Sequence, residues 1–332
     1  MEQFKVLVLT DHSGHTTENA LYALAKAMYH HPRCAQMDVA TVANPQNNHF
    51  FSGQLSKSIY ASPVDESFQF SEDGRAYKRK LRRVLVRSYD VIWLRMPPPL
   101  SEKFVQFLKN EYPSILFVND PKGIYDSGSK AFLMNFQEWC PPMRICSDWS
   151  AIANAAQEQS IILKPFRDYG GKGIIRIHNG RVEAGKESMN LEAFAVHYNN
   201  DPKPYLAVKF LKNVKQGDKR IIVVNGRIMG ASLRMPPEGS WLCNVSQGGT
   251  SMGATVDDRE RAIVAAVNPI LQKMGIAMYG LDTLVGDDGR RVLSEINTTS
   301  IGGLPQIAEQ LGKPRVKEAA DLMWQFITQR LS

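Results

Sequence analysis

Two carboxylates and an amide in one short segment have the spacing expected for ligands of a hard divalent cation. Gly280 to Asn297 reads GLDTLVGDDGRRVLSEIN, which predicts a strand, a tight turn and a second strand. Such a hairpin brings Asp282 close to Glu295 and Asn297, which share a face because they are two residues apart. These oxygens suit Mg²⁺, with Mn²⁺ as an alternative. A solvated acidic hairpin would have the same pattern, so a metal site also requires phosphate-binding groups elsewhere.

A glycine-rich turn between two predicted strands is the candidate for binding phosphate. The strand Ile161 to Pro165 leads into Gly170, Gly171, Lys172 and Gly173, and another strand follows. Glycines let backbone N–H groups approach an anion closely, so this flap could close over a triphosphate. Lys164, on the first strand, and Lys172, in the turn, could add positive charge. The P-loop pattern is absent, and an ordinary glycine-rich hairpin would look the same.

Charged side chains on two further predicted strands could contact a nucleotide or a substrate. Asp218 and Arg220 lead into the predicted strand Ile221 to Val224, and Arg234 ends the strand that returns after the turn Asn225-Gly226. Asp218 could accept hydrogen bonds from ribose hydroxyls. Arg220 and Arg234 could each bind a carboxylate or a phosphate through two parallel hydrogen bonds. A single charged residue of this kind is more often part of a solvated surface. Several such residues on adjoining strands that face the metal hairpin favour a ligand-binding site.

Two other segments are candidates for substrate contacts. Arg95 ends the predicted strand Val91 to Leu94, just before three prolines, and ligands of open α/β sheets sit outside such strand ends. Arg95 could therefore bind a substrate carboxylate, although a surface arginine beside a rigid turn fits equally well. The polar segment Met235 to Asp257 predicts a substrate-facing loop that contains Asn244, Gly248 and Gly249.

The elements that must position these residues indicate an α/β protein. Lys5 to Leu9 predicts a buried parallel strand, Glu18 to Tyr29 has helical spacing, and Met37 to Val42 predicts a second strand. This order indicates a doubly wound sheet. Further helices are predicted at Ser129 to Trp139, with Lys130 in the first turn, at Asp258 to Gly275, and at Lys317 to Arg330.

Composition narrows the classes of partner. The chain has 332 residues, a net charge of +7 and a pI near 9.1, which favours anionic partners, but its basic residues are scattered. The densest group, Lys78 to Arg87, predicts an amphipathic helix with a solvated basic face, which we favour over a nucleic-acid surface. Four cysteines without zinc-ligand spacing favour reduced thiols in the cytoplasm. No apolar run approaches the ~18 residues of a membrane span. We therefore expect the partners to be small molecules, and we expect the protein to bind neither nucleic acid nor a membrane.

These motifs together resemble ATP-grasp enzymes, and most closely the bacterial glutathione synthetases. The resemblance runs over most of the chain, is strongest from about Ile161 to Ser300, and rests on motifs in the family's order: Lys130, ILKP at 162–165, GGKG at 170–173, GDKR at 217–220, the Asn244 to Gly249 segment, GLD at 280–282 and EIN at 295–297. It implies an N-terminal pre-ATP-grasp domain over residues 1–122, a lid with the flap over 123–205, and a catalytic part of the ATP-grasp fold over 206–332.

The resemblance also implies an activity and a set of roles. The enzyme would be a homo-oligomer that uses ATP to convert a carboxylate into an acyl phosphate, which an amine then attacks. In this family the substrates are γ-glutamylcysteine and glycine. Lys130, Lys164 and the flap would contact ATP phosphates, and Asp218 would contact the ribose. Asp282, Glu295 and Asn297 would bind Mg²⁺, and Arg220 and Arg234 would contact substrate or intermediate. Adenine would lie at the strand formed by Val208, Lys209, Phe210 and Leu211.

Two departures from the family pattern leave the substrates open. Family members usually carry Ser-Pro-Thr after EIN, where glycine is expected to bind. Here the run is Thr298 to Gly303, with Ser300 as a candidate contact. Where the family has Arg-Lys-Asp-Pro-Pro, this chain has Leu94-Arg95-Met96-Pro97-Pro98, which lacks the Lys and the Asp. The alternatives are a ligase of the same fold with a different acid or amine, such as a glutamate-adding enzyme, and a nucleotide-binding regulatory protein. The complete set of metal ligands favours a ligase.

Overall fold

The described strands form three sheets that follow one another along the chain. The structure, a computed structural model, describes residues 2–236 and 250–332. Its sheets contain six, six and five strands, with helices between them. The predicted α/β class is therefore confirmed. None of the helices in the described ranges combines the length and the apolar composition needed to cross a bilayer.

The first sheet is the predicted doubly wound unit. Its strands are β1 (Phe4–Thr10), β2 (Cys34–Thr41), β3 (Ser58–Pro63), β4 (Arg82–Leu85), β5 (Val91–Arg95) and β6 (Leu116–Val118), and its helices are α1 (Ala20–Tyr29), α2 (Asn48–Phe51) and α3 (Glu102–Glu111). The strand order is β4-β3-β2-β1-β5-β6, in which β2, β1, β5 and β6 run parallel. The side chain of Asn19 caps α1 by accepting a hydrogen bond from the backbone of Leu21.

The predicted amphipathic helix over Lys78 to Arg87 is wrong. The structure has a short 3-10 turn at Arg75–Tyr77, and then the edge strand β4. In β4, Arg82 donates a 2.7 Å hydrogen bond to the buried carboxylate of Asp38, and Arg83 donates one to Ser58. The basic residues therefore belong to an exposed sheet edge, where charge discourages pairing with another chain.

The second sheet is antiparallel throughout. It follows α4 (Pro121–Ser127) and a 3-10 segment (Lys130–Trp139), which replaces the predicted α-helix and is interrupted at Phe136. Its strands are β7 (Met143–Cys146), β8 (Ile161–Pro165), β9 (Ile175–His178), β10 (Arg181–Ala184), β11 (Glu187–Asn190) and β12 (Tyr205–Lys209), and its helices are α5 (Trp149–Glu158) and α6 (Leu191–Asn200). The strand order is β11-β10-β9-β8-β12-β7.

The third sheet is also antiparallel, in the order β15-β14-β13-β16-β17. Its strands are β13 (Asp218–Val224), β14 (Arg227–Met235), β15 (Thr250–Ala254), β16 (Met278–Val285) and β17 (Arg291–Asn297), and its helices are α7 (Asp258–Lys273), α8 (Leu304–Leu311) and α9 (Arg315–Leu331). The hairpin predicted from Gly280 to Asn297 is confirmed as β16 and β17.

The hydrophobic cores join the first and third sheets and leave part of the second sheet separate. Trp324 of α9 is buried against α1, where its indole N–H donates to the carbonyl of Met28. In β12, Tyr205 and Ala207 face a core that belongs to the second sheet alone. The opposite face of β12 contributes Leu206 and Val208 to the core shared with the other sheets. The division at residues 122 and 205 stays a prediction, and its second boundary falls inside β12.

Asn119 ties the first sheet to the third. Its side chain is 6% exposed and follows directly after β6. The amide nitrogen donates to the carbonyls of Met278 and Thr298, at 2.7 and 2.6 Å. The amide oxygen accepts from the backbone N–H groups of Ala277 and Met278, at 2.7 and 3.0 Å. One buried amide therefore uses both ends of its hydrogen-bonding capacity to fix the start of β16 and the segment after β17.

We expect Asn119→Ala to lower the free energy of unfolding by about 2–5 kcal/mol, because it leaves several buried backbone groups without partners. The measurement is chemical denaturation. The control is Asn135→Ala, which removes a single hydrogen bond from an exposed asparagine to the carbonyl of Phe132. An equal, small effect of both substitutions would contradict the anchoring role.

Candidate active site

A cavity of about 370 Å³ is lined by residues of the second and third sheets together with the segment after β5. It brings together fourteen of the residues predicted from the sequence: Lys164, Gly170, Gly171, Val208, Lys209, Phe210, Leu211, Asp218, Arg220, Arg234, Asp282, Glu295, Asn297 and Ser300. Among the predicted residues in the described ranges, four do not line it: Arg95, Lys130, Lys172 and Gly173. Asn244, Gly248 and Gly249 lie outside the described residues.

A cross-strand row of charged side chains lies on the cavity side of the third sheet. Arg220 on β13 is directly opposite Asp282 on β16, which is directly opposite Glu295 on β17. Asn297 lies two residues beyond Glu295, and its amide donates to Oδ2 of Asp282 at 3.2 Å. Side chains opposite one another on one face of a sheet are neighbours, so the register assembles the predicted ligand set.

Both arginines of the cavity form ion pairs with aspartates. Arg220 donates through Nε and Nη2 to the two oxygens of Asp282, at 2.7 and 2.6 Å. Arg234 donates through Nε and Nη2 to Asp218, at 2.6 and 2.5 Å, and its Nη2 also lies 2.9 Å from Asp282. Burial acts to raise the pKa of Asp282, but the positive charges and hydrogen bonds of Arg220 and Arg234 hold it well below its usual range.

Asp218 has the opposite electrostatic balance. Burial raises its pKa and the negative charge of Asp282 adds to the rise, whereas the hydrogen bonds from Arg234 oppose it. Asp282 is consequently the carboxylate of this pair that most firmly stays ionised.

Two lysines face the same edge of the sheet. Nζ of Lys130 lies 2.6 Å from Oε1 of Glu295 and 4.8 Å from the ring centroid of Tyr169, so this lysine is one contact away from the cavity. Lys164 donates to the carbonyl oxygen of Ser294 at 3.3 Å. Ser294 is the extra residue of a β-bulge, which leaves its carbonyl outside the ladder. Burial lowers the pKa of Lys164, and the charge of Lys130 lowers it further, against the opposing effect of Glu295.

The residues of the glycine-rich flap line two different cavities. Gly170 and Gly171 line the cavity, whereas Lys172 and Gly173, together with Gly171, line a different cavity on the second sheet. All three flap glycines have positive φ angles, between 66° and 77°, which other residues rarely adopt. A Cβ atom at Gly170 or Gly171 would meet no atom within 4 Å, so space remains beside the flap.

The cavity also has an apolar wall, of which the sequence predicted only part. Val208, Phe210 and Leu211 lie beside Met143, Ile162 and Leu293, which were not predicted as site residues. Met143 belongs to β7, a four-residue strand that the sequence analysis missed. No local signal identifies Leu293, because the bulge at Ser294 interrupts the alternation between Leu293 and Glu295.

Arg95 has a different environment from the predicted one. Its side chain is 5% exposed, and Nη2 donates to the carbonyl of Ile301 at 3.0 Å. Burial lowers the pKa of Arg95 to about 10, so it remains charged at neutral pH. The side chains of Thr299 and Ser300 both donate to the carbonyl of Met96, at 2.7 Å. The two segments that depart from the family pattern therefore contact each other, and Arg95 supports the segment after β17.

Comparisons with known proteins agree with this geometry. The family model described as the ATP-grasp domain of prokaryotic glutathione synthetase matches residues 129–312. The glutathione synthetase of Rhodopseudomonas palustris is 34% identical over 249 residues, which cover 74% of this chain and 75% of that protein. The glutathione synthetase of Bradyrhizobium diazoefficiens is 33% identical over 75% of this chain and 76% of that protein.

The chain belongs to the prokaryotic glutathione synthetase family. It is therefore an ATP-dependent carboxylate–amine ligase. Solved structures agree in fold. D-cycloserine synthetase DcsG has a TM-score of 0.64 at 13% identity, over 96% of this chain and 99% of that chain. D-alanyl-alanine synthetase A from Vibrio cholerae has a TM-score of 0.58 at 13% identity, over 99% and 98%. The predicted ATP-grasp fold is thus confirmed.

The donor set of this family member fits a hard cation. ATP-grasp ligases in general use ATP with Mg²⁺. Within the described residues, no group of three His, Cys, Asp or Glu side chains could hold a metal by itself. Asp282, Glu295 and the amide of Asn297 adjoin the same cavity and offer only oxygen ligands, which is the chemistry that Mg²⁺ prefers.

We expect a nucleotide to slow amide hydrogen exchange in the flap at Gly170 and Gly171, because these residues line the cavity and have open space beside them. The measurement compares exchange with and without a non-hydrolysable ATP analogue and Mg²⁺. The turn at Asn179 and Gly180 is the internal control, since it is exposed, has positive φ angles and belongs to the same sheet. Equal protection of the flap in both states would contradict its role as a cover.

Proposed function

We propose that this protein synthesises glutathione from γ-glutamylcysteine and glycine, with conversion of ATP to ADP and phosphate. The observation that carries this proposal is the row Arg220–Asp282–Glu295 with Asn297, set in a cavity between a glycine-rich flap and β12. This arrangement offers oxygen ligands, cations and a cover to one reacting centre. We also propose, from the family resemblance, that the enzyme is a cytoplasmic homo-oligomer.

In the first step, a carboxylate oxygen of γ-glutamylcysteine attacks the γ-phosphorus of ATP, and ADP leaves with the electrons of the broken P–O bond. Lys130 and Lys164 are suited to contact the phosphates, because both lie at the β17 edge of the cavity beside Glu295. Gly170 and Gly171 of the flap would add backbone N–H groups from the other side. Lys172 points to the other cavity, so it would reach the phosphates only if the flap moves.

The nucleoside would lie along β12 and its continuation. Val208 to Leu211 form one wall of the cavity, and Met143 and Ile162 extend it, which suits a flat apolar base. Asp218 could accept from the ribose hydroxyls. Both of its oxygens already accept from Arg234, so the ribose would share them.

In the second step, the amine of glycine attacks the acyl carbon, and phosphate leaves after the amine proton has been lost. Arg220 and Arg234 are suited to neutralise the charge on the substrate carboxylate and on the tetrahedral intermediate. The flap would exclude water, which would otherwise hydrolyse the acyl phosphate. No protein nucleophile is needed.

A bound Mg²⁺ would supply charge neutralisation at the transferring phosphoryl group, and Asp282, Glu295 and Asn297 would hold it.

We expect Glu295→Gln to reduce turnover by about 10²-fold or more, because it removes one anionic ligand. The free energy of unfolding of this variant should be about 1–3 kcal/mol lower, since Lys130 loses its charged partner. Steady-state kinetics and thermal unfolding measure the two effects.

The control for that substitution is Glu309→Gln, which neutralises an exposed carboxylate on α8 without touching the cavity. Normal activity of Glu295→Gln would remove the metal assignment.

A ligase for a larger amine is the second candidate. A Cβ atom at Gly302 would meet no atom within 4 Å, so the segment after β17 has open space at this residue. Glycine remains our first choice because the other motifs match the family.

We expect γ-glutamylcysteine and glycine to support ADP formation, with glutathione as the product detected by mass spectrometry. In competition against alanine, serine and longer amines, glycine should be preferred. ADP formation with another acid or a larger amine, and none with this pair, would favour the second candidate. A complete lack of ADP formation with every pair would favour a nucleotide-binding protein without turnover.

A further inference from the structure

The basic side chains of the site form ion pairs with the same carboxylates that are suited to hold the metal. Both oxygens of Asp282 accept from Arg220, at 2.7 and 2.6 Å, and Oδ2 also lies 2.9 Å from Nη2 of Arg234. Lys130 contacts Glu295 in the same way, at 2.6 Å. Each anionic ligand of the metal triad is therefore already neutralised by a basic side chain.

The hydrogen-bonding capacity of Asp282 is largely used. A carboxylate oxygen has about two lone-pair positions. Oδ2 faces three donors, because the amide of Asn297 adds a contact at 3.2 Å to those of the two arginines. With only 3% of its surface exposed, Asp282 cannot ligate a metal through Oδ2 unless at least one guanidinium moves away.

Arg220 and Arg234 are also needed elsewhere. A guanidinium engaged through Nε and Nη2 with an aspartate has used the edge that binds a carboxylate through two parallel hydrogen bonds. Arg220 cannot present this edge to Asp282 and to the acid substrate at the same time. Arg234 has the same conflict with Asp218.

We propose that Arg220 exchanges partners: it neutralises Asp282 in the metal-free enzyme, and it becomes available to the acid substrate only when Asp282 ligates a metal. This inference rests on the proposed function and adds an order of events to it. The two arginines balance the charges of Asp218 and Asp282, so a divalent cation restores the positive excess that an anionic acid requires.

The chain leaves room for this exchange. Among the described residues, the hydrogen bonds of the Arg220 side chain all go to Asp282, whereas Arg234 keeps Asp218 as a second partner. Gly280 lies beside the Arg220 guanidinium, and its lack of a side chain leaves open a Cβ position 3.6 Å from Nε. Arg220 is therefore the side chain expected to move furthest.

The first test needs no substrate. Mn²⁺ alone is titrated into the protein, and the free ion is measured by electron paramagnetic resonance. Arg220→Met should bind Mn²⁺ about tenfold more tightly than the unmodified protein, because a cation that competes for Asp282 is gone. Arg290→Met is the matched control, since Arg290 pairs with Asp288 on the turn of the same hairpin. Unchanged or weaker Mn²⁺ binding by Arg220→Met would overturn the exchange.

The second test measures binding of γ-glutamylcysteine by calorimetry in the presence of ADP. The unmodified protein should bind this acid at least about tenfold more tightly with Mg²⁺ than with EDTA. Asp282→Asn should bind it equally well in both, because Arg220 loses its charged partner without a metal, although the turnover of this variant is lost. Asp288→Asn, which removes the partner of Arg290, should behave like the unmodified protein.

The two tests separate the two hypotheses. If γ-glutamylcysteine binds in neither condition while Arg220→Met gains Mn²⁺ affinity, the exchange stands and the identity of the acid is wrong. Equal binding of γ-glutamylcysteine to the unmodified protein with Mg²⁺ and with EDTA would overturn the exchange, and this comparison does not depend on the folding of any variant.

Discussion

The register of four antiparallel strands in the third sheet is the constraint on which the site depends. A slip of one residue would turn Arg220 or Asp282 to the opposite face. Hydrogen bonds to a buried carboxylate on the opposite face also fix this register. Lys219, next to Arg220, donates to the fully buried Glu260 of α7 at 2.7 Å, and Thr283, next to Asp282, donates to the same carboxylate at 2.8 Å. A buried charge on one face thus holds the reactive row on the other.

Much of the fold could be predicted because the signals are local. The apolar run of β1 and the helical spacing of α1 identify the doubly wound unit, and the glycine-rich turn identifies the hairpin of β16 and β17. The strand β7 was missed because four residues, half of them exposed, carry little periodicity. Lys78 to Arg87 was misassigned because its charges bind Asp38 and Ser58 on neighbouring strands, contacts that no local pattern reveals.

The site was predictable to the extent that it lies within single hairpins. Asp282, Glu295 and Asn297 were found from spacing alone, because one hairpin places all three. The pairing of Arg220 with Asp282 depends on which strands become neighbours, and the position of Arg95 depends on how the first sheet packs against the third. The carbonyl of Ser294, at a bulge that the sequence does not mark, accepts from Lys164 of the second sheet. These features arise from contacts between distant parts of the chain.

The second sheet contacts the main core near only one of its edges. Leu206 and Val208 of β12 belong to the main core, and Met143 of the neighbouring edge strand β7 packs against it, whereas β9, β10 and β11 contribute only to their own core. A small rotation about β12 therefore displaces the far strands most and β8, its neighbour, least. In such a rotation Lys164 on β8 would move little, and the glycines that follow it would move further. Under the proposed function, the same sheet would supply one phosphate contact that stays in place and one that arrives as the flap closes.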